Sequence, residues 1–283
     1  MIEFRDVHAS YDGSAPILKG VSFTIRDGEF VAFVGTNGAG KSTTMRLMNG
    51  LLKPDAGQVL IDGVPTSDLR TSELARRVGF LFQNPDSQIC CNTVREELLF
   101  GFKALGLDGP DADSRVDAIV EEFAFDPDDD PFLLNRGARQ LLALASIVVL
   151  APPVVVVLDE PTTGLDYREC VKVMDIIRRI HERGTTVVMV CHDMEVVADY
   201  AARCIVMSGG EVVDDAPTFD VLRNRETLER ASLVPPQIVE LSLELGREMP
   251  HLADGPVGRA NTLDEMAAAV MEEVRTSERS VCA

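Results

Sequence analysis

Lysine is scarce and charge is one-sided. Lys19, Lys41, Lys53, Lys103 and Lys172 are the lysines of a 283-residue chain whose formal net charge is −19. Such a surface repels nucleic acid and excludes a broad phosphate-tracking groove, so no nucleic-acid partner is expected. Acidic residues recur throughout and cluster at "DPDDD", Asp126 to Asp130. Many carboxylates with few lysines are also expected of proteins from cells with high internal salt, where screening makes self-repulsion tolerable. Cysteine is thin as well. There are six, among them the adjacent Cys90 and Cys91, with neither metal-ligand spacing nor the density of a disulfide scaffold. Reduced thiols are therefore expected. The first residues, "MIEFRDVHASY", contain no basic segment followed by an apolar one, so no secretory signal is expected and the cytosol is the expected compartment. No solenoid-type internal repeat is visible.

The longest apolar run is "LLALASIVVLAPPVVVVL", Leu141 to Leu158. At roughly 18 residues it just reaches spanning length. Pro152 and Pro153 remove two backbone donors and push each preceding residue out of the helical region, which argues against one continuous helix. Two elements fit better: a buried helix over Leu141 to Ala151, and a strand over Val154 to Leu158. Four consecutive β-branched valines favour an extended chain covered on both faces.

The 46% hydrophobic content suits a packed core, large enough for one α/β domain plus an appendage. Alternation predicts strands at "IEFRDVHASY" and "VSFTI", and "EFVAFVG" reads as a buried strand entering a glycine-rich turn. A helix is expected from Lys41 to about Asn49. Further strands fit "QVLI", "VGFLF", "VVVVL" and "TVVMVC". The stretch "YRECVKVMDIIRRIHERG" has helical periodicity, with Val171, Met174, Ile177 and Arg178 beginning successive turns and Gly184 as a stop. Strands alternating with helices predict a parallel-sheet α/β core with an antiparallel portion near the N-terminus. A hairpin is expected around Gly209 and Gly210. The core is expected to span residues 1–224. A small C-terminal helical extension, 225–283, would hold a helix after Pro236 and another capped by Thr262 with Glu265, on which Met266, Val270 and Val274 share one face.

The sharpest chemical signal is "GTNGAGKST", Gly35, Thr36, Asn37, Gly38, Ala39, Gly40, Lys41, Ser42 and Thr43, which fits G-x-x-x-x-G-K-[ST] between a buried strand and a helix. Its glycines let backbone N–H groups approach phosphate oxygens, and the positive end of the following helix adds to the anion site. Lys41 would reach the β- and γ-phosphates of ATP, and Ser42 would offer a hydroxyl to Mg²⁺. The strand "VVVVL" ends in Asp159 and Glu160, placing two carboxylates at the carboxyl edge of the sheet, where open α/β sheets bind ligands. Asp159 would hold Mg²⁺ and Glu160 would orient and polarise the attacking water.

"GTNGAGKST", "FQNPDSQ", "VLDEPTTGLD" and "VMVCHDM" stand in the order and spacing of an ABC-transporter nucleotide-binding domain, a resemblance covering roughly residues 1–224. It implies an α/β P-loop NTPase core with a mixed sheet and a helical signature subdomain. By the same resemblance Tyr11 looks like the aromatic that stacks on adenine, Gln83 like the residue linking Mg²⁺ to the membrane partner, and His192 like the γ-phosphate sensor, while Gly164 to Asp166 would meet the opposing subunit. "FQNPDSQICCNTVREELLFG" and "ASLVPPQIVELSLELG" resemble the ATPases of energy-coupling-factor importers, the group that includes cobalt, nickel and biotin uptake systems. That resemblance implies a peripheral subunit on the cytoplasmic face of the membrane. It would pair with a second ATPase, identical or homologous, and dock through the Gln83 region to a transmembrane coupling subunit. A separate membrane subunit would bind the substrate.

One motif departs from the family pattern. The signature loop, usually LSGGQ, aligns with "LNRGA", Leu134 to Ala138, where Asn135 replaces serine, Arg136 a glycine and Ala138 glutamine, and Gly137 is kept. In a head-to-tail dimer this loop serves the partner's nucleotide, whereas the P-loop, Glu160 and His192 serve the chain's own. One competent and one weaker site are therefore expected in a heterodimer. Another class of ABC transporter ATPase, or a regulatory nucleotide-binding module with little turnover, is the alternative reading.

Overall fold

The computed structural model describes residues 1–11, 13, 15–107, 109–150 and 153–281. Strand β1 (Ile2–Ala9) buries Ile2, Phe4, Val7 and Ala9 and pairs antiparallel with β2 (Leu18–Ile25). All six residues of β3 (Phe30–Gly35) are buried, and the glycine-rich loop then enters α1 (Lys41–Met48). Strand β4 (Ala56–Ile61) returns to the other edge of β1 and carries the short β5 (Val64–Pro65), giving an antiparallel sheet of order β2-β1-β4-β5. After α2 (Thr71–Leu74) comes β6 (Val78–Leu81). Three helices follow, α3 (Val94–Leu105), α4 (Pro110–Phe123) and α5 (Arg136–Val148), joined by a separate apolar cluster that includes Leu98, Phe102, Val116 and Leu142. This is the expected helical subdomain.

The chain then alternates through β7 (Val155–Asp159), α6 (Tyr167–Glu182), β8 (Thr186–Val190), α7 (Met194–Tyr200) and β9 (Arg203–Ser208), and turns at Gly209 and Gly210 into β10 (Glu211–Pro217). The second sheet has the order β10-β9-β3-β8-β7-β6, parallel except for β10. Its centre is covered on both faces, which explains the unbroken valines. Val155 and Val157 pack with Met45 and Phe33, whereas Val156 and Leu158 pack with Leu144, Met174 and Ile177.

The long apolar run is indeed split between a helix and a strand. Helix α5 starts at Arg136, earlier than expected, because Asn135 caps it; Ala151 and Pro152 lie outside the described residues. Among the described residues no helix is long and apolar enough to cross a membrane. On α6 the buried stripe is Val173, Met174, Ile177 and Ile180, so of the four residues expected to begin successive turns Met174 and Ile177 lie in the stripe, Val171 is half-buried and Arg178 falls outside it. Arg178 is exposed and pairs with Asp175 at 2.7 Å.

Helices α8 (Thr218–Arg223) and α9 (Arg225–Ala231) still pack on the main core through Val221, Leu222 and Ala231. From α10 (Gln237–Glu248) onward, through α11 (Pro256–Arg259) and α12 (Leu263–Val281), a separate cluster forms around Leu252, Val257, Met266 and Ala269. Arg223 ties the two together, donating to Ser242 Oγ at 2.8 Å, Asn261 Oδ1 at 3.0 Å and the Gly258 carbonyl. The inward face of α12 is Met266 with Ala269. Val270 and Val274 are exposed, because three- and four-residue steps from Met266 diverge on a helix that only grazes its neighbours. Thr262 Oγ1 accepts from the Glu265 N–H as expected, but the Glu265 carboxylate takes the N–H of Asn261.

Candidate active site

Four loops converge at the carboxyl ends of β3, β6, β7 and β8. The loop after β3 is shaped by crowding. Gly35 has φ 134°, and a Cβ there would sit 1.9 Å from the Met207 carbonyl oxygen of the neighbouring strand. Gly40 has φ 100°, and a Cβ there would sit 2.4 Å from Leu18 Cδ2, so the absence of a side chain lets the chain turn into α1. Thr36, Asn37 and Gly38 form the accessible tip, while Ala39, Gly40 and Thr43 are buried behind it. The first turn of α1 carries no acidic residue that would cancel its positive end.

Lys41 is only 5% exposed, and its Nζ donates to the carbonyls of Gly35 at 2.7 Å and Thr36 at 2.9 Å. Burial lowers its pKa, opposed by the carboxylates of Glu160 and Asp159. A buried cation bonded to a glycine-rich loop with an accessible tip at the positive end of a helix fits a polyphosphate. Ser42 Oγ donates to Asp159 Oδ1 at 3.2 Å, so the start of α1 and the end of β7 place two oxygens side by side. Asp159 is 8% exposed, and burial raises its pKa while the Ser42 bond opposes the rise. Hard oxygens held together in this way fit Mg²⁺.

Glu160 is the hub. It has φ 51°, a costly conformation for a residue with a side chain, and its N–H donates to the Val190 carbonyl at 3.0 Å, which fixes it between β7 and β8. Its Oε2 accepts from Gln83 Nε2 at 2.8 Å and Thr163 Oγ1 at 2.9 Å, and its Oε1 lies 3.0 Å from His192 Nε2. Gln83, Glu160 and His192, separated by up to 109 positions in the sequence, are thus joined at one carboxylate. Thr163 escaped the sequence reading, although it sits in "DEPTTGLD" three residues beyond the glutamate, the spacing of one helical turn.

Tyr11 follows β1, and its contacts include Arg46 of α1. The guanidinium donates to the phenol oxygen at 3.0 Å and lies 5.9 Å from the ring centroid. Arg46 also escaped the sequence reading. Its signal was weak, a single basic residue in the last turn of α1.

The departing signature loop is packed against the chain's own Gly164 loop. Asn135 Oδ1 accepts the Ala138 N–H at 2.7 Å, which leaves its amide nitrogen as the donor. Arg136 Nε donates to the Thr163 carbonyl at 3.2 Å and crowds Gly164. A Cβ at Gly137 would lie 2.3 Å from the Glu169 carboxylate, so a side chain there would displace Glu169 from its engagement with Asp166 in the cap of α6.

A parallel sheet with a glycine-rich anion loop at one strand end and a carboxylate pair at another defines a P-loop ATPase domain. The chain belongs to the ABC transporter family, whose sequence model, described as "ABC transporter", matches residues 18–163. Relatives named as ABC transporter ATP-binding proteins include one of Caldanaerobacter subterraneus, 40% identical over 87% of this chain; the chain spans 44% of that protein's length and 40% of the next two. The energy-coupling factor transporter ATP-binding protein EcfA of Methanothermobacter thermautotrophicus is 38% identical over 85% of this chain and 78% of its own. Among solved structures, cbiO1 of Clostridium perfringens, described as part of the ABC transporter complex cbiONQ, superposes with a TM-score of 0.71 at 27% identity, covering 89% of this chain and 96% of that one. The ATP-binding cassette MJ0796, dimeric with ADP and Pi, gives 0.67 at 30% identity over 77% and 99%. The chain is accordingly an ATP-binding ABC ATPase domain, of a family whose cassettes dimerise and work with membrane subunits.

Proposed function

We propose that the chain hydrolyses ATP, with Mg²⁺, as the peripheral ATPase on the cytoplasmic face of an importer of the energy-coupling-factor type. The observation that carries the importer class is the reach of the similarity. The likeness to cbiO1 covers 89% of this chain, against 77% for the plain cassette MJ0796, and so extends into the C-terminal helices that a cassette alone does not need. The 38% identity to EcfA supports the same reading. We assign residues 1–224 to the nucleotide-binding domain and 225–283 to the extension, although α9 still leans on the main core.

In this reading Lys41 and the N–H groups of residues 36–43 hold the phosphates, and Tyr11 stacks on the adenine. Asp159, Ser42 and the carbonyl oxygen of Gln83 would hold Mg²⁺, which when bound neutralises charge on the phosphates. Glu160 takes a proton from the attacking water as its oxygen bonds to the γ-phosphorus and the bond to the ADP oxygen breaks. His192 and Gln83 fix the Glu160 carboxylate and stand beside the γ-phosphate. A second ATPase subunit, identical or homologous, would complete each nucleotide site. A transmembrane coupling subunit and a substrate-binding membrane subunit would complete the importer.

The regulatory alternative rests on "LNRGA", where Arg136 occupies space a glycine would leave open. Purification of the membrane-extracted complex, with its subunits identified and turnover compared for native and Glu160→Gln forms, tests both readings. A coupling subunit with turnover lost in the variant supports the importer motor. Soluble protein alone, without turnover, supports the regulatory module.

A further inference from the structure

Cys90 and Cys91 lie outside the nucleotide site, in the loop that leads from Gln88 into α3. Both of their N–H groups donate to one oxygen of Glu97, Oε2, at 2.9 Å each. Glu97 projects from α3 and is only 3% exposed, a costly position for a carboxylate unless its charge is compensated. The two sulfurs and a Glu97 carboxylate oxygen lie within 4.8 Å of one another. The Cys91 thiol is pushed up to about 12, first by burial and then by the Glu97 carboxylate, and it is hydrogen-bonded with both Cys90 and Glu97. Two thiols and one carboxylate therefore converge on one point.

That arrangement matches a metal tripod. Zinc binds thiolate sulfur at about 2.3 Å in tetrahedral sites, which sets neighbouring ligands roughly 3.8 Å apart. The three ligand atoms, within 4.8 Å of one another, reach that spacing by side-chain rotation of the exposed Cys90, while the two amide bonds hold the Glu97 carboxylate in place. The solvent-facing side leaves room for water as a fourth ligand. Thiolates select zinc and softer ions over magnesium or calcium.

We infer that Cys90, Cys91 and Glu97 form a binding site for a thiophilic divalent cation of the Zn²⁺ class, separate from the nucleotide's Mg²⁺. Binding forms two metal–sulfur bonds and one metal–oxygen bond and releases both thiol protons to solvent, so the cluster's net charge is unchanged and no oxidant is required. The occupied site pins residues 89–93 to α3. Gln88, at the start of that loop, already bonds the Ala143 carbonyl at 2.8 Å and accepts from the Phe82 N–H at 3.4 Å, which joins the loop to the strand end bearing Gln83. The site stands whether or not the importer reading holds.

The test is titration of the reduced full-length protein with Cd²⁺, followed by thiolate-to-cadmium charge-transfer absorption, and with Zn²⁺ by calorimetry. One ion per chain is expected, with Cys90→Ser and Cys91→Ser each weakening binding about 100-fold or more, at least the upper end of what losing an outer-shell partner costs. Glu97→Gln keeps a carbonyl for the two amide bonds but loses the anionic ligand, and should weaken binding about tenfold or more. Cys170→Ser should change nothing. Hydrogen exchange over residues 89–97 should slow on Zn²⁺ addition in the native protein alone. Absent charge-transfer absorption, equal binding by the Cys90/Cys91 double variant, or unaltered affinity in Glu97→Gln would each overturn the site.

Discussion

Replacing Glu160 with glutamine separates the chemistry of the site from its architecture. The carboxylate accepts from Gln83 and Thr163 on Oε2 and faces His192 with Oε1. A glutamine can present its carbonyl oxygen to the first two and its amide to an unprotonated His192 nitrogen, so all three neighbours keep a partner. Little stability should be lost. ATP should bind at least as tightly, because the substitution removes a negative charge from beside Lys41, whose charged form Glu160 favours. What disappears, in the proposed mechanism, is the proton acceptor for the attacking water. General base catalysis contributes about 10²–10⁴-fold, or roughly 2.7–5.5 kcal/mol of barrier. The measurement is turnover of the assembled complex at saturating ATP and Mg²⁺, alongside equilibrium ATP binding to the same preparation. A kcat reduced about 10²-fold or more with undiminished ATP affinity is expected. A fall of less than tenfold, or a loss confined to affinity, would refute the assignment of Glu160 as the base.

Gly35→Ala places a methyl 1.9 Å from a backbone oxygen at φ 134°, where neither strand can retreat without opening the β3–β9 ladder, so a loss of about 3 kcal/mol or more is expected in urea unfolding. Gly38→Ala, with φ 78° and nothing within 4 Å, should cost only the left-handed backbone term of about 1–2 kcal/mol; equal losses at the two glycines would contradict the crowding argument. The pKa of Asp159 is raised in the fold, so the native state holds this proton more tightly than the unfolded chain and the ionised group opposes folding at neutral pH. Asp159→Asn should therefore raise the unfolding midpoint at pH 7 while weakening Mg²⁺-dependent nucleotide binding. The gain should fade as pH falls through the folded pKa towards the ordinary carboxylate range, and a gain that grows on acidification would reverse the sign. In a heterodimer, Glu160→Gln in this chain should reduce turnover far more than the equivalent change in the partner, whose nucleotide meets "LNRGA"; equal losses would remove the asymmetry. With a net charge of −19, unfolding resistance should rise between about 0.1 M and about 1 M KCl as screening shortens, and a steady decline would count against a high-salt adaptation.

The sheet and its site were legible because the strands that build them are covered on both faces. A run such as Val154 to Leu158 has one plausible fate, and the loops at its ends inherit their position from the parallel order. Asp159, Lys41 and Ser42 could therefore be brought together from spacing alone. Partially buried helices were harder. On α12 an error of one residue in phase moves the apolar stripe, and Val270 and Val274, expected to share a face with Met266, are exposed, whereas on α6 Met174 and Ile177 are buried and only Arg178 among the expected turn positions is exposed. No local rule fixes phase when a helix touches its domain along one narrow strip. The same limit hid Thr163 and Arg46, whose roles come from neighbours supplied by other elements.

The signature loop shows where local pattern and tertiary contact part company. From the sequence, "LNRGA" was a list of lost groups. In the fold each retained or substituted residue has a definite neighbour: Asn135 caps α5, Gly137 makes room for Glu169, and Arg136 spans to the Thr163 carbonyl beside Gly164. Glu169 in turn completes the cap on Asp166, so the signature loop and the loop expected to meet the other subunit are bonded within one chain. Arg136 thus forms a cross-link where a glycine would leave open backbone, and in the proposed head-to-tail dimer that exchange would bear on the nucleotide opposite rather than on the chain's own. In the proposed reading the chain's own groups for water attack, from Lys41 to His192, are all present, and what a partner would add is the signature loop. If the chain pairs with a homologue that keeps an intact signature loop, as the proposed asymmetry requires, its own nucleotide would meet that loop while the partner's would meet Arg136.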